Sequence, residues 1–60
     1  MIKAFIRNAA GKILNIQKGV NEDDVYERAY SILHRSRTAR SAKIFLVNLG
    51  QYKHMEALWK

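Results

Sequence analysis

The richest stretch of potential chemistry is RSRTARSAK, residues 35–43, in which Arg35, Arg37, Arg40 and Lys43 are spaced by serine, threonine and alanine. Guanidinium forks beside hydroxyl donors are what phosphate oxygens accept from, so this tract points to contact with a nucleic-acid backbone. Cations also belong near the last turn of a helix, where they oppose the negative end of its dipole. Four cations in nine residues exceed what a cap needs.

A second candidate is KAFIR, residues 3–7. On a strand, side chains alternate between faces, so Lys3, Phe5 and Arg7 share one. A ring between two cations can pack beneath another segment, or it can stack on a base while the cations reach phosphates. Arg28, Lys3 and Arg7 therefore stand as auxiliaries to the tract, with Phe5 as the stacking residue.

Acid–base chemistry has less to draw on. Glu22, Asp23, Asp24 and Glu27 cluster where a helix should start, which leaves Glu56, His34 and His54 outside that cluster. On a helix, His54 and Glu56 would diverge, and a working acid–base pair needs a shared cleft. The chain has no cysteine, no glycine-rich phosphate loop, no nucleophile elbow and no strong metal-ligand spacing. The expectation is a non-catalytic binding module that needs no cofactor and no metal.

The charge balance supports an anionic partner. The net charge is +6, and residues 28–60 carry seven cations against Glu56 alone, while residues 1–27 are balanced at four and four. Nucleic acid, DNA or RNA, is the leading partner, bound with little sequence specificity. The alternative is a small regulator or inhibitor docking on an acidic protein surface through a sheet edge or a C-terminal segment containing Tyr52, Met55 and Trp59.

Positioning these residues falls to a small α+β domain. Residues 1–20 read as a β-hairpin closed by Asn8-Ala9-Ala10-Gly11, with Asn suited to the first position of a type I turn and Gly to the left-handed position that follows. The implied register sets Arg7 opposite Ile13, Ile6 opposite Leu14, Phe5 opposite Asn15 and Ala4 opposite Ile16. Ile2, Ala4, Ile6, Leu14 and Ile16 then form a core face with Lys18 at its edge. Asn21 is a good N-cap for a helix over 21–38 with the stripe Val25, Tyr26, Ala29, Ile32 and Leu33. A strand over 43–49 follows, and 51–60 reads as a short helix because Tyr52, Met55 and Trp59 recur at spacings of three and four.

This yields β-β-α-β with a three-stranded, mainly antiparallel sheet, the third strand lying beside either the first or the second. Tyr26 and Phe45 are expected in the core. Phe5 and Trp59 are expected to pack on each other or across a homodimer, since a 60-residue chain buries only about 60% of its unfolded surface and gains from a staple. The longest apolar run, Ile44-Phe45-Leu46-Val47, is far short of the roughly 20 residues that cross a bilayer. With Lys3 and Arg7 interrupting the first apolar stretch, a cytoplasmic protein without membrane attachment is expected.

Overall fold

Asn21 begins the helix as the sequence predicts. In the computed structural model, which describes residues 1–59, its side-chain oxygen accepts from the amides of Asp23 at 2.8 Å and Asp24 at 3.4 Å. Three acids fill the first turn, where they face the positive end of the dipole. The helix, α1, runs Glu22–Arg35 and buries Val25, Ala29 and Leu33, with Ile32 packed alongside. Tyr26 is exposed, a departure from its expected place in the core.

α1 stops three residues before the expected 38 because Ser36 captures the chain. Its amide donates to the Ile32 carbonyl at 2.9 Å. Its hydroxyl accepts from the amides of Thr38 and Ala39 at 3.3 and 3.2 Å. A serine that offers the backbone this alternative ends a helix without glycine or proline.

Four strands follow the order β2-β1-β3-β4: β1 Ile2–Asn8, β2 Ile13–Gly19, β3 Ala39–Leu46 and β4 Gln51–Glu56. Every neighbouring pair is antiparallel. The fold is thus a small compact α+β domain with one helix, as expected, but the sheet has four strands rather than three. Residues 51–56 are strand, not helix. A lone ten-residue helix is marginal in water, whereas a fourth strand satisfies the open edge of β3.

β3 lies beside β1 and begins at Ala39 instead of Lys43. Its first half, Ala39-Arg40-Ser41-Ala42, lacks the branched and aromatic side chains that mark a strand. Leu49 and Gly50 amides then donate to the Leu46 and Val47 carbonyls at 3.0 and 3.4 Å, and Gly50 takes a positive φ of 61° to reverse the chain into β4.

The hairpin turn forms as predicted, with the Gly11 amide on the Asn8 carbonyl at 3.0 Å and Gly11 at φ 86°. The Asn8 side chain accepts from the Ala10 and Lys12 amides at 3.0 and 2.9 Å. Beyond the turn the register departs from expectation. Arg7 faces Ile13, but Ile6 faces Asn15, Phe5 faces Ile16 and Ala4 faces Gln17. Leu14 is the extra residue of a bulge, and one extra residue exchanges the faces of everything after it.

The core lies between α1 and one sheet face, where Ile2, Ala4, Ile6, Ala42, Ile44, Leu46 and Met55 meet the helix stripe. β2 approaches closely at Gly19. A Cβ there would fall 2.8 Å from Val25 Cγ2 and 2.7 Å from Arg28 Nη2. The Arg28 side chain can swing aside, but Val25 is fully buried.

Two outcomes follow for stability. Gly19→Ala should destabilise the fold by about 1–3 kcal/mol, the range for overpacking, in urea unfolding at fixed pH. The second concerns Lys53, whose ammonium lies 2.6 Å from Glu22 Oε1 at the start of α1. Hydrogen bonding to Glu22, then its charge, raise the Lys53 pKa above the usual 10.5. A raised lysine contributes stability below its unfolded value and loses it as pH rises through the folded one. The melting-temperature gap between the native chain and Lys53→Gln should accordingly be small, constant through neutral pH, and closed at strongly alkaline pH.

Candidate functional site

With α1 on one face of the sheet, the other face is left to water. The register identifies its side chains row by row. Lys18, Lys3, Phe45 and Tyr52 form one row, Ile16, Phe5, Lys43 and His54 the next, and Ile13, Arg7, Ser41 and Glu56 the third. An antiparallel sheet with one solvated face normally turns polar side chains outward. This one turns out three aromatic rings, two isoleucines and four cations.

The rings are arranged by the strands. Phe45 and Tyr52, directly opposite on β3 and β4, stack with centroids 4.5 Å apart and planes 22° from parallel. Tyr52 keeps 59% of its surface exposed, and Phe5 and Phe45 are half-buried by their neighbours. The Arg7 guanidinium carbon lies 5.8 Å from the centre of the Phe5 ring, and the Lys43 ammonium 5.0 Å from that of Tyr52. Both fall within cation–π range. Phe45 is therefore on the open face, not in the core.

Glu56 is the one carboxylate of the three rows, and His54 Nε2 lies 2.9 Å from its Oε1. The two diverge on a helix but share a face on a strand, which is why the sequence reading separated them. Ser41 stands opposite Glu56 and Lys43 opposite His54. The histidine is therefore not interposed between serine and carboxylate as a nucleophilic triad requires. Among the described residues no group of three acids and histidines could hold a metal ion.

The predicted cations divide between surfaces. Lys3, Arg7 and Lys43 meet on the open face with Phe5. Arg37 and Arg40 flank the Asn8-Ala9-Ala10 turn at the Arg7 end of the sheet. Arg35 lies in the last turn of α1, with Nε on the Ser31 carbonyl at 3.4 Å. Arg28 fastens α1 to β2, its guanidinium donating to the Lys18 carbonyl at 2.9 Å and to the Asp24 carbonyl at 3.5 Å. The tract 35–43 is not one surface, because the strand sends Lys43 to the face opposite the helix.

The C-terminal trio also separates. Tyr52 joins the open face, Met55 is buried in the core at 8% exposure, and Trp59 lies against α1. Trp59 is 5.5 Å from the Tyr30 ring and 5.6 Å from His34, centroid to centroid, with Tyr30 and His34 stacked at 5.9 Å. Phe5 and Trp59 consequently do not meet, since the strand pairing carries the chain end to the helix side. Lys60 lies outside the described residues. Sequence reasoning missed Lys18, Ile16 and Phe45 on the open face. The only signal for the first two was the bulge at Leu14, which no residue type announces.

No helix among the described residues is long and apolar enough to cross a membrane. Comparison of the chain with family models, with curated proteins and with solved structures finds no match.

The placement of Trp59 has a spectroscopic consequence. Tyr30→Ala should shift Trp59 emission to longer wavelength by opening it to water, while Phe5→Leu leaves the spectrum in place. A shift on Phe5→Leu instead would return Trp59 to the open face.

Proposed function

We propose that this chain is a non-catalytic nucleic-acid-binding module with little sequence specificity, and that the open sheet face is its binding surface. The observation that carries the reading is the row pattern: Lys3, Arg7, Lys18 and Lys43 lie on one uncovered face whose single carboxylate is already engaged by His54. Exposed cations on a surface of one sign attract a polyanion and release its counterions on binding, which is a large favourable term at low salt. Arg37 and Arg40 extend the positive path past the hairpin turn. Arg28, which donates from Nε and Nη2 to carbonyls of α1 and β2, serves the fold in this reading.

An acidic protein surface would answer to the same charge. Nucleic acid is favoured because the cations are interleaved with flat rings, which offer stacking surface to bases.

The test is a salt titration followed by fluorescence anisotropy on labelled single-stranded and duplex oligonucleotides. Each phosphate contact contributes about 0.7 to the log–log slope on single strands and about 0.9 on duplex. Arg7→Gln with Lys43→Gln should lower the single-strand slope by about 1.4 with circular dichroism unchanged, whereas Arg35→Ala leaves the slope alone. A slope reduced by Arg35→Ala but not by the sheet pair would move the interface to the helix end. Absence of binding to every oligonucleotide at low salt would remove nucleic acid as the partner.

A further inference from the structure

Each cation on the open face that touches a ring does so in a repeated unit. Arg7 lies over Phe5 on the same strand, two residues apart, and Lys43 lies over Tyr52 across the β3–β4 pair. A ring with a cation at its face is the complement of one nucleotide, which has a flat base and a phosphate a short linkage away.

We infer that the open face holds two nucleotide subsites, Phe5 with Arg7 and Tyr52 with Lys43, and that their ligand is a single-stranded polynucleotide whose bases displace the cations from the rings. This deepens the nucleic-acid reading above and rests on it. In the free protein each ring is occupied by its own cation. When a base arrives it takes the ring, and the released cation moves to the phosphate of that same nucleotide.

Magnitudes favour the exchange. An exposed cation–π contact is worth a factor of about 2–5 in an equilibrium constant, whereas stacking one base on an aromatic side chain is worth about 5–150. The cation is not lost in the exchange, because a charge-assisted contact with phosphate replaces the ring contact. Tyr52 is also held in place for the role, braced by Phe45 at 4.5 Å on the neighbouring strand.

The geometry selects a single strand. β1 and β4 are separated by β3, so the two rings stand on strands roughly 10 Å apart. Neighbouring bases in a duplex are stacked about 3.4 Å apart, with their faces hidden. Two rings at this separation can each take a base only from a strand whose bases are splayed, and a duplex would offer the face its phosphates alone. The positive charge of the face also argues against a second copy as its cover, since a face-to-face dimer would bring Lys3, Arg7, Lys18 and Lys43 against their own counterparts.

The experiment compares three labelled ligands of about 12 nucleotides, within the range a single small domain covers. They are a thymidine strand, an abasic strand of the same backbone, and a duplex. The thymidine strand should bind at least about fivefold more tightly than the abasic one. Phe5→Leu and Tyr52→Leu should each remove most of that advantage without weakening abasic or duplex binding, and Tyr52→Phe should retain it. Tyr52 is exposed, so its variants keep the question answerable if Phe5→Leu unfolds the chain.

Pairing within a subsite has its own readout. Tyr52→Leu combined with Lys43→Gln should lose more than the product of the two single effects, by up to the factor of about 2–5 of the ring–cation contact that each single variant no longer has to break. Tyr52→Leu combined with Arg7→Gln should multiply to within about twofold, the tolerance for independent sites. Equal binding of thymidine and abasic strands would overturn the subsites while leaving a phosphate-binding face intact. Multiplicative effects in both combinations would overturn the pairing of ring with cation. Absence of binding to all three ligands would overturn the nucleic-acid reading and the subsites with it.

Discussion

One amphipathic helix covers one face of one sheet, and most of what this chain presents to its surroundings depends on that limit. α1 has 14 residues and so spans about 21 Å. Its stripe of Val25, Ala29 and Leu33 lies against Ile2, Ala4, Ile6, Ala42, Ile44 and Leu46 of the two central strands. The alanines matter as much as the branched residues. Ala4, Ala29 and Ala42 are fully buried, and with only a methyl group each they let helix and sheet approach closely, which is how a short chain reaches interior packing density. Among the described residues no second helix packs on the far face.

The part of that face that β2 supplies is the product of a single extra residue. Had β2 paired with β1 without the bulge at Leu14, Ile16 and Lys18 would sit under the helix margin, and Asn15 and Gln17 would face out beside Phe5. The bulge reverses this and sets Lys18 opposite Lys3 and Ile16 opposite Phe5. Two lysines directly opposite each other repel, a cost that the proposed anionic ligand would lower. Gln17 instead lines the groove between β2 and α1 with Asp24, Arg28 and Arg35, where a polar side chain suits an edge strand that must not pair with another chain.

Local signals were legible wherever one residue dominates the backbone. Asn8 and Gly11 specify the hairpin turn, Asn21 specifies the helix start, and the stripe at Val25, Ala29 and Leu33 specifies the buried face. The signals that failed are those decided by tertiary pairing. Ala39-Arg40-Ser41-Ala42 is poor in strand formers and becomes strand because β1 lies beside it. Tyr52, Met55 and Trp59 fit a helical spacing, yet pairing with β3 sends Tyr52 out, Met55 in and Trp59 onward to α1. Of the candidate site, Lys3, Phe5, Arg7 and Lys43 were legible from alternation and charge. Their company on the open face was not, because it depends on the bulge and on a strand with helical spacing.

The coupling of rings to cations resolves a conflict that the exposed face would otherwise create. Bare aromatic and branched side chains on a sheet invite self-association, and both edges of this sheet are open to a further strand. Cations laid over the rings blunt the first tendency by charge and by occupancy, and Lys12, Lys18 and Lys53, on or next to the edge strands β2 and β4, oppose the second. Positive charge on such a surface works against face-to-face contact with another basic surface. In the proposed function that repulsion is relieved by a ligand that brings negative charge and flat apolar surface together, as a strand of nucleotides does on every unit.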